Sequence, residues 1–183
     1  MKKIILFALL VLTGCAAKDP EQRDYALGLF INQNSISVGT AVLSKDGENT
    51  ECEFYEGFGK TLEKALEDAD SKTSGSLYMG HLLMCVIDKR ALYKTDELTK
   101  LFTEREELSK NVWVLAADDT KALEDTDIIQ FVKRYYDRDN KKAADMNDII
   151  KSLEQTGTAA VPYIDSSGSL TDKYILIRKD ETK

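Results

Sequence analysis

The sequence predicts an α+β fold in which a mixed β-sheet combines an antiparallel N-terminal meander with βαβ crossovers and flanking helices. Three strand-length segments follow one another between residues 25 and 59, joined by short turns. Continuous apolar strands then alternate with segments of helical period, and the chain closes on two strands around a turn. Strands joined by short turns pair antiparallel, whereas strands separated by a helix favour parallel pairing.

The first 14 residues have the composition of a secretory signal peptide. Lys2 and Lys3 precede an apolar stretch, IILFALLVL at positions 4–12, which is shorter than the roughly 20 residues that a transmembrane helix needs. The residues LTGC at 12–15 resemble the bacterial lipobox, which implies a thioether-linked lipid on Cys15 and cleavage just before it. A plain secretory signal with an unrelated cysteine is the alternative. Residues 1–14 are thus predicted to be a lipoprotein signal peptide, and the polar residues 15–24 a tether.

The charge of the chain excludes one class of partner. The formal net charge is −7, and the loss of Lys2 and Lys3 with the signal makes it about −9. An acidic surface repels phosphate backbones, so nucleic acid is excluded. It gains no attraction from anionic lipids either, so acyl chains on Cys15 must carry the attachment to the membrane.

Three strands are predicted at the start of the domain. Residues 25–32, YALGLFIN, and residues 36–44, ISVGTAVLS, are separated by a polar turn, and the second segment alternates with the period of a half-buried strand. Asp46-Gly47 is a strong hairpin signal before the third strand, TECEFYEGFG at 50–59. These segments form the predicted meander.

The hydrophobic period then changes to that of helices. Residues 61–75, TLEKALEDADSKTSG, place apolar side chains at i, i+3, i+4 and i+7, which predicts an amphipathic helix with Thr61 as N-cap and Gly75 as stop. A shorter helix is predicted at 94–102, KTDELTKLF, with Thr95 as its cap.

Two continuous apolar runs flank that shorter helix. HLLMCVI at 81–87 and NVWVLAA at 111–117 are typical of strands covered on both faces, and the helix between them predicts that they are parallel neighbours. Two further helices are predicted at 126–136 and 143–157, the second ending at Gly157.

The chain ends in a predicted β-hairpin. TAAVPYI at 158–164 and LTDKYILIRKD at 170–180 flank the turn DSSG, and Pro162 favours an edge position for its strand. We therefore place the domain at residues 25–157 and the hairpin at 158–183.

Motifs for catalysis or ligand binding are incomplete. GFGKT at 57–61 has the end of a phosphate loop, but Phe54 stands where its first glycine must be. Asp118-Asp119 follow a predicted strand, where catalytic carboxylates can lie and where acidic pairs also cap helices. His81 is the only histidine. Cys85, four residues along the same predicted strand, is about 13 Å from it, too far for a direct dyad.

The cysteines leave one alternative open. One histidine and two cysteines do not have the spacing of a zinc site, so no metal is predicted. Because the motifs above are incomplete, no cofactor or catalytic residue is predicted either. A Cys52–Cys85 disulfide is permitted outside the cytoplasm, yet both residues lie in strand-like runs where a free cysteine behaves as a small hydrophobe.

The order of these motifs resembles the N-terminal domain of the Ger(x)C family, the lipoprotein C subunits of spore germinant receptors. The resemblance runs over about residues 15–164, from LTGC through YALGLFIN, YEGFGKTLEKALEDA, LYMGHLLMCVIDKRAL and NVWVLAADD to TAAVPYI. The GHL block at 80–82 is its most specific part, and Asp88 stands where the family has glycine. Members usually continue through further domains, whose functions are not carried over to this chain.

The resemblance implies a structural turn at Gly80 and His81, with the imidazole bonded to backbone groups; a partner-contact or pH-sensing role is the alternative. It also implies a non-catalytic docking or assembly role, lipid anchoring at the extracytoplasmic face of the spore inner membrane, and membrane-embedded receptor subunits of A and B type as partners. The rival interpretation is a lipoprotein that binds a small nutrient in a concave site lined by aromatic residues such as Tyr55, Phe58, Tyr78 and Trp113.

Overall fold

A computed structural model describes residues 23–43, 50–124, 127, 144–165 and 167–179. It contains a mixed eight-stranded sheet with helices, which confirms the predicted α+β class. The strands are β1 Arg23–Ile31, β2 Ser35–Leu43, β3 Thr50–Phe58, β4 Ser76–Tyr78, β5 Met84–Asp88, β6 Trp113–Ala117, β7 Thr158–Ile164 and β8 Leu170–Arg178. The helices are α1 Leu62–Asp70, α2 Thr95–Glu104, α3 Lys121–Glu124 and α4 Met146–Thr156, with 3₁₀ turns at Met79–His81 and Lys89–Lys94. Within these ranges no helix has the length and apolar character needed to cross a bilayer.

The strand order is β3-β2-β1-β5-β6-β7-β8, with β4 paired to the start of β1. The pairs β1–β2, β2–β3 and β7–β8 are antiparallel, whereas β1–β5, β5–β6 and β6–β7 are parallel. The predicted meander and the predicted parallel neighbours are both confirmed. β1 therefore joins the antiparallel strands β2 and β3 to the parallel strands β5, β6 and β7, and β8 adds an antiparallel strand at the far edge.

The core lies on both faces of the central strands. On one face, α1, α2 and α4 pack against alternate strand residues in a large cluster that includes Leu29, Cys85, Val114, Leu66, Phe102 and Ile149. The opposite face carries a smaller cluster of Phe30, Met84, Val86, Leu115, Leu123 and Ile164. Every residue of β5 is buried, as its continuous apolar run predicts.

Two glycines allow α1 to lie very close to the third strand. A Cβ atom on Gly57 would lie 2.6 Å from the backbone nitrogen of Ala69 and still closer to the carbonyl oxygen of Ala65. A Cβ atom on Gly59 would lie 2.7 Å from the carbonyl carbon of Lys64. Close helix–strand packing therefore explains this glycine pair.

The N-terminus of α1 is closed by protein groups. Thr61 caps it as predicted, because its hydroxyl accepts from the backbone N–H of Lys64 at 3.2 Å. The carboxylate of Glu97, on α2, accepts from the backbone N–H of Leu62. A side-chain carboxylate thus binds at the helix N-terminus, the place that a phosphate loop offers to its ligand.

The ends of the other helices differ in how well the sequence predicts them. Gly157 terminates α4 with φ = 72°, as predicted, since glycine adopts the left-handed region at little cost. The prediction of Thr95 as a cap is wrong, because its hydroxyl instead donates to the carbonyl of Leu92, in the preceding 3₁₀ turn. The helix predicted at 126–136 falls largely outside the described residues.

The final hairpin is confirmed, but Pro162 does not lie on the edge strand. β7 runs between β6 and β8, and β8 is the edge. The first β7 residue that pairs with β6 is Tyr163, so the proline sits just before that ladder begins. The hairpin continues the sheet of the domain, and the boundary at 157/158 stays a prediction.

Candidate functional site

The most specific sequence block, around Gly80 and His81, lies in a cluster of exposed and half-buried rings that we call the aromatic turn. It consists of Arg23, Tyr25, Tyr78 and His81. The ring centroids are 5.6 Å apart for Tyr25 and Tyr78, 5.3 Å for Tyr25 and His81, and 5.6 Å for Tyr78 and His81. The Arg23 guanidinium lies 4.9 Å from the centroid of the Tyr78 ring. The two contacts of Tyr25 are edge-on, the arrangement that aromatic quadrupoles favour.

Strand pairing assembles this cluster. β4 runs parallel to the start of β1, in a register that places Tyr25 opposite Tyr78. The following 3₁₀ turn then carries His81 onto both rings. The sheet therefore unites residues more than 50 positions apart in the sequence, with Arg23 and Tyr25 on one strand and the turn on another.

Glycine is required at position 80 because the Tyr78 ring lies directly over it. A Cβ atom at this position would lie 2.6 Å from both Cζ and Oη of the Tyr78 ring. The turn is also held by backbone bonds, since the N–H of Leu82 donates to Met79 at 3.1 Å and that of Leu83 donates to Leu27 at 2.9 Å. The glycine thus has a packing role.

His81 differs from the backbone-bonded residue that the resemblance implies. Its side chain is exposed and makes ring contacts, and among the described residues no hydrogen bond of the imidazole is found. An exposed imidazole keeps both nitrogens available to a partner, one as donor and one as acceptor.

A second polar cluster occupies the opposite end of the parallel strands, and we call it the charged edge. Asp88 ends β5 with a buried side chain, and Arg90 binds its carboxylate through the backbone N–H at 2.7 Å, through Nε at 2.9 Å and through Nη2 at 2.5 Å. Burial raises the pKa of Asp88, but these bonds outweigh it and hold the pKa below its usual range.

Asp118, one of the acidic pair that the sequence leaves open between catalysis and helix capping, forms part of this edge. Its carboxylate pairs with Lys89 and accepts from the hydroxyl of Tyr163. The bond to Lys89 is the largest of the causes that lower the pKa of Asp118, and the hydrogen bond from Tyr163 comes next. The same hydrogen bond raises the pKa of Tyr163 to about 12. A general acid or base works best with a pKa near the operating pH, and both groups are shifted away from neutrality. The contacts instead join the ends of β5, β6 and β7.

Asp119 has a capping role. Its carboxylate accepts from the backbone N–H of Lys121, the first residue of α3, at 3.0 Å, and it lies 4.0 Å from Arg90. Sequence reasoning missed Lys89, Arg90 and Tyr163 as neighbours of the acidic pair. The carboxyl ends of parallel strands meet at one edge, and this rule, applied to the ends of the two predicted parallel strands, is the signal that would have found Lys89 and Arg90.

Comparison with known proteins identifies the family. The family model of the spore germination protein N-terminal domain matches residues 16–166, more than four fifths of the chain. The chain belongs to the family of spore germination protein N-terminal domains. This confirms the resemblance read from the motif order. Comparison with curated proteins and with solved structures gave no match.

The germination domain keeps its two described cysteines apart. Cys52 is exposed on β3 and Cys85 is buried on β5, and both are free thiols. Two strands separate them in the sheet, which at about 4.8 Å per strand gives roughly 14 Å. A disulfide needs Cα atoms about 4.4–6.8 Å apart, so the pairing left open by the sequence does not fit this fold. Among the described residues, no group of three or more histidine, cysteine, aspartate or glutamate side chains could hold a metal.

The aromatic residues considered for a nutrient site lie apart in the germination domain. Tyr55 packs against the cluster under α1, whereas Trp113 packs against the cluster on the opposite face of the sheet. Phe58 is exposed near Lys72, whose ammonium lies 5.2 Å from the ring centroid. Tyr78 belongs to the aromatic turn. The fold therefore does not bring the four together in one concave site.

Two shallow grooves flank the exposed side of α2. Their volumes are about 350 and 330 Å³, and both are lined by Asp96, Lys100 and Glu104. Small-molecule sites are usually mostly apolar with a few placed polar groups. Apolar side chains complete the linings, Leu101 in one groove and Ile150 and Leu153 in the other, so neither groove is purely charged.

Proposed function

We propose that this protein is a lipid-anchored, non-catalytic docking component of a spore germinant receptor, held at the extracytoplasmic face of the spore inner membrane. Membership of the germination family supports the role in germination. The LTGC sequence at 12–15 supports the anchor, and the family match begins at residue 16, directly after Cys15. Cys15 itself lies outside the described residues.

The position of the aromatic turn supports its use as the docking surface. The first described strand begins at Arg23, eight residues after Cys15. An extended chain reaches at most about 3.5 Å per residue, so a lipid on Cys15 holds Arg23 within roughly 28 Å of the bilayer. The aromatic turn is therefore at the anchored end of the domain, where membrane-embedded subunits of A and B type would meet it.

The chemistry of the turn suits protein contact. Tyrosine and arginine are enriched in interfaces because they combine apolar area with polar tips. His81 adds an exposed donor and acceptor next to them. The charged edge, by contrast, has its carboxylates bound within the domain and supports a structural role.

Recovery of receptor subunits from spore membranes tests the proposal. We expect the full chain to co-purify the A and B type subunits, and His81→Ala to weaken their binding on the order of fivefold, the loss that a contact residue worth about 1 kcal/mol gives. Tyr93→Ala is the matched control, since Tyr93 is 59% exposed at the opposite end of β1, where its hydroxyl donates to Gln33.

Two outcomes would contradict the proposal. Equal recovery with His81→Ala and Tyr93→Ala would show that the aromatic turn is not part of the interface. Unchanged membrane retention of Cys15→Ala would show that a lipid on Cys15 is not what holds the chain at the membrane.

A further inference from the structure

The edge strand β8 presents an unusual outer face. Among the described residues β8 pairs with β7 alone, so its other edge carries no strand there. Tyr174 and Leu176 are 66% and 61% exposed, on the sheet face opposite the buried Ile177. The register places Leu176 beside the exposed Ala160 of β7, which extends the apolar surface. Free edges with apolar side chains tend to pair with another strand.

The residues on this face of β8 form a series that is complementary to its own reverse. Alternate residues along it are Asp172, Tyr174, Leu176 and Arg178, so an acid and a base enclose two large apolar groups. Read in the opposite direction, the series is base, aliphatic, aromatic, acid. Each residue is therefore complementary to the residue that an antiparallel copy would place opposite it.

We propose that β8 pairs antiparallel with β8 of a second copy of this chain, about a two-fold axis at Ile175. In this register Tyr174 lies opposite Leu176 of the second copy, and Asp172 lies opposite Arg178, each twice by symmetry. Such a contact is isologous and self-complementary, the usual form of a two-fold interface. It covers the free edge, continues the sheet across two molecules and pairs opposite charges across the strands.

Neighbouring registers fit less well. An axis at Tyr174 would place Asp172 opposite Leu176 and Leu170 opposite Arg178, which leaves both charges facing apolar side chains. The complementarity therefore favours the axis at Ile175 over the axis at Tyr174. The proposal goes beyond the docking function and does not depend on the lipid anchor or on the aromatic turn.

Cysteine cross-linking of the full chain in membranes tests this register. In a Cys52→Ser background, which removes the exposed thiol, Ile175→Cys places the two new cysteines directly opposite each other. Paired Cα atoms are about 4.5–5.5 Å apart, which permits a disulfide. We expect mild oxidation to give a disulfide-linked dimer on a non-reducing gel.

Lys173→Cys in the same background is the matched control. It lies on the same strand and the same face, but it pairs with position 177 of the second copy, so two cysteines at 173 are about 13 Å apart. No dimer is expected. Absence of the dimer with Ile175→Cys, or equal dimer with both variants, would overturn the proposal.

Exchange of the two charges gives an independent test. Asp172→Arg and Arg178→Asp each create two like-charge pairs, and each is expected to weaken self-association of the detergent-solubilised full chain on the order of tenfold in sedimentation velocity. The double variant restores both pairs and should return to the original value, whereas the surface variant Lys110→Asp should not change it. A double variant as weak as the single ones, or a monomer at all concentrations, refutes the pairing.

Discussion

Substitution of Gly57 by alanine should destabilise the domain because it forces strand and helix apart. The new methyl group would lie 2.6 Å from the nitrogen of Ala69, 2.8 Å from its Cβ, and closer still to the carbonyl oxygen of Ala65. Two of these three atoms are backbone, so no side-chain rotation relieves the contact. Restoring ordinary van der Waals distances requires β3 and α1 to separate by about 1.5 Å in an interior that is packed as tightly as a crystal.

The expected cost follows from what the separation disturbs. Overpacking a core costs about 1–3 kcal/mol, occasionally more. Helix α1 also contributes Leu62 and Leu66, both buried, whose contacts loosen when the helix moves. We therefore expect a loss of about 3 kcal/mol in the free energy of unfolding, which for a domain of this size lowers Tm by roughly 6–12 °C.

Urea unfolding followed by circular dichroism measures this loss. Gly157→Ala is the control for a different mechanism, because nothing lies within 4 Å of its added Cβ while φ is 72°. The free energy of unfolding of Gly157→Ala should fall by only about 1–2 kcal/mol, the cost of holding alanine in a left-handed conformation. Adding Ala69→Gly to Gly57→Ala should not restore stability, because the carbonyl of Ala65 remains. A loss below 1 kcal/mol, or full rescue by Ala69→Gly, refutes the reasoning.

Three further outcomes are expected. Asp88→Asn should lower the free energy of unfolding by about 1 kcal/mol at pH 7 in urea unfolding, because the charge-assisted hydrogen bonds from Arg90 are lost. The pKa of Asp88 is lowered in the folded state, so the extra stability of the wild type is fully present above the unfolded pKa of about 3.9. It disappears as the pH falls through the folded-state pKa. An alkylating reagent should label Cys52 in the folded chain and Cys85 only after unfolding, since burial raises the pKa of Cys85 and shields it; equal labelling would contradict the burial of Cys85. Thr61→Ala should cost about 1 kcal/mol through loss of the α1 cap, and Thr103→Ala, late in α2, appreciably less in the same assay.

Local patterns allowed much of the fold to be predicted. The alternation in β2, the continuous apolar run of β5 and the i, i+3, i+4, i+7 spacing in α1 each report which side chains are buried within one element. Burial within an element depends on neighbours a few residues away, so the type and place of these elements were predicted correctly. Two details were wrong: α1 ends at Asp70, before the predicted stop at Gly75, and β2 buries Ser35 and Ser37 as well as its apolar residues. The short strand β4 was missed because three residues carry too little periodicity to stand out.

The candidate site depends on neighbours across the sheet, which periodicity does not encode. The GHL block marked His81 from the sequence, yet only the parallel register of β4 on β1 decided that its ring contacts Tyr25. In the same way, the pairing of β7 with β6 decided that Tyr163 reaches Asp118.

By itself the sequence determined the α+β class, the strand and helix pattern and the membership of the germination family. Tertiary structure alone decided the separation of Cys52 from Cys85, the burial of Asp88 against Arg90, and the exposure of Tyr174 and Leu176 on the edge strand. The physical reason is that hydrophobic period is a local property of the chain, whereas strand order and register come from packing the whole core at once.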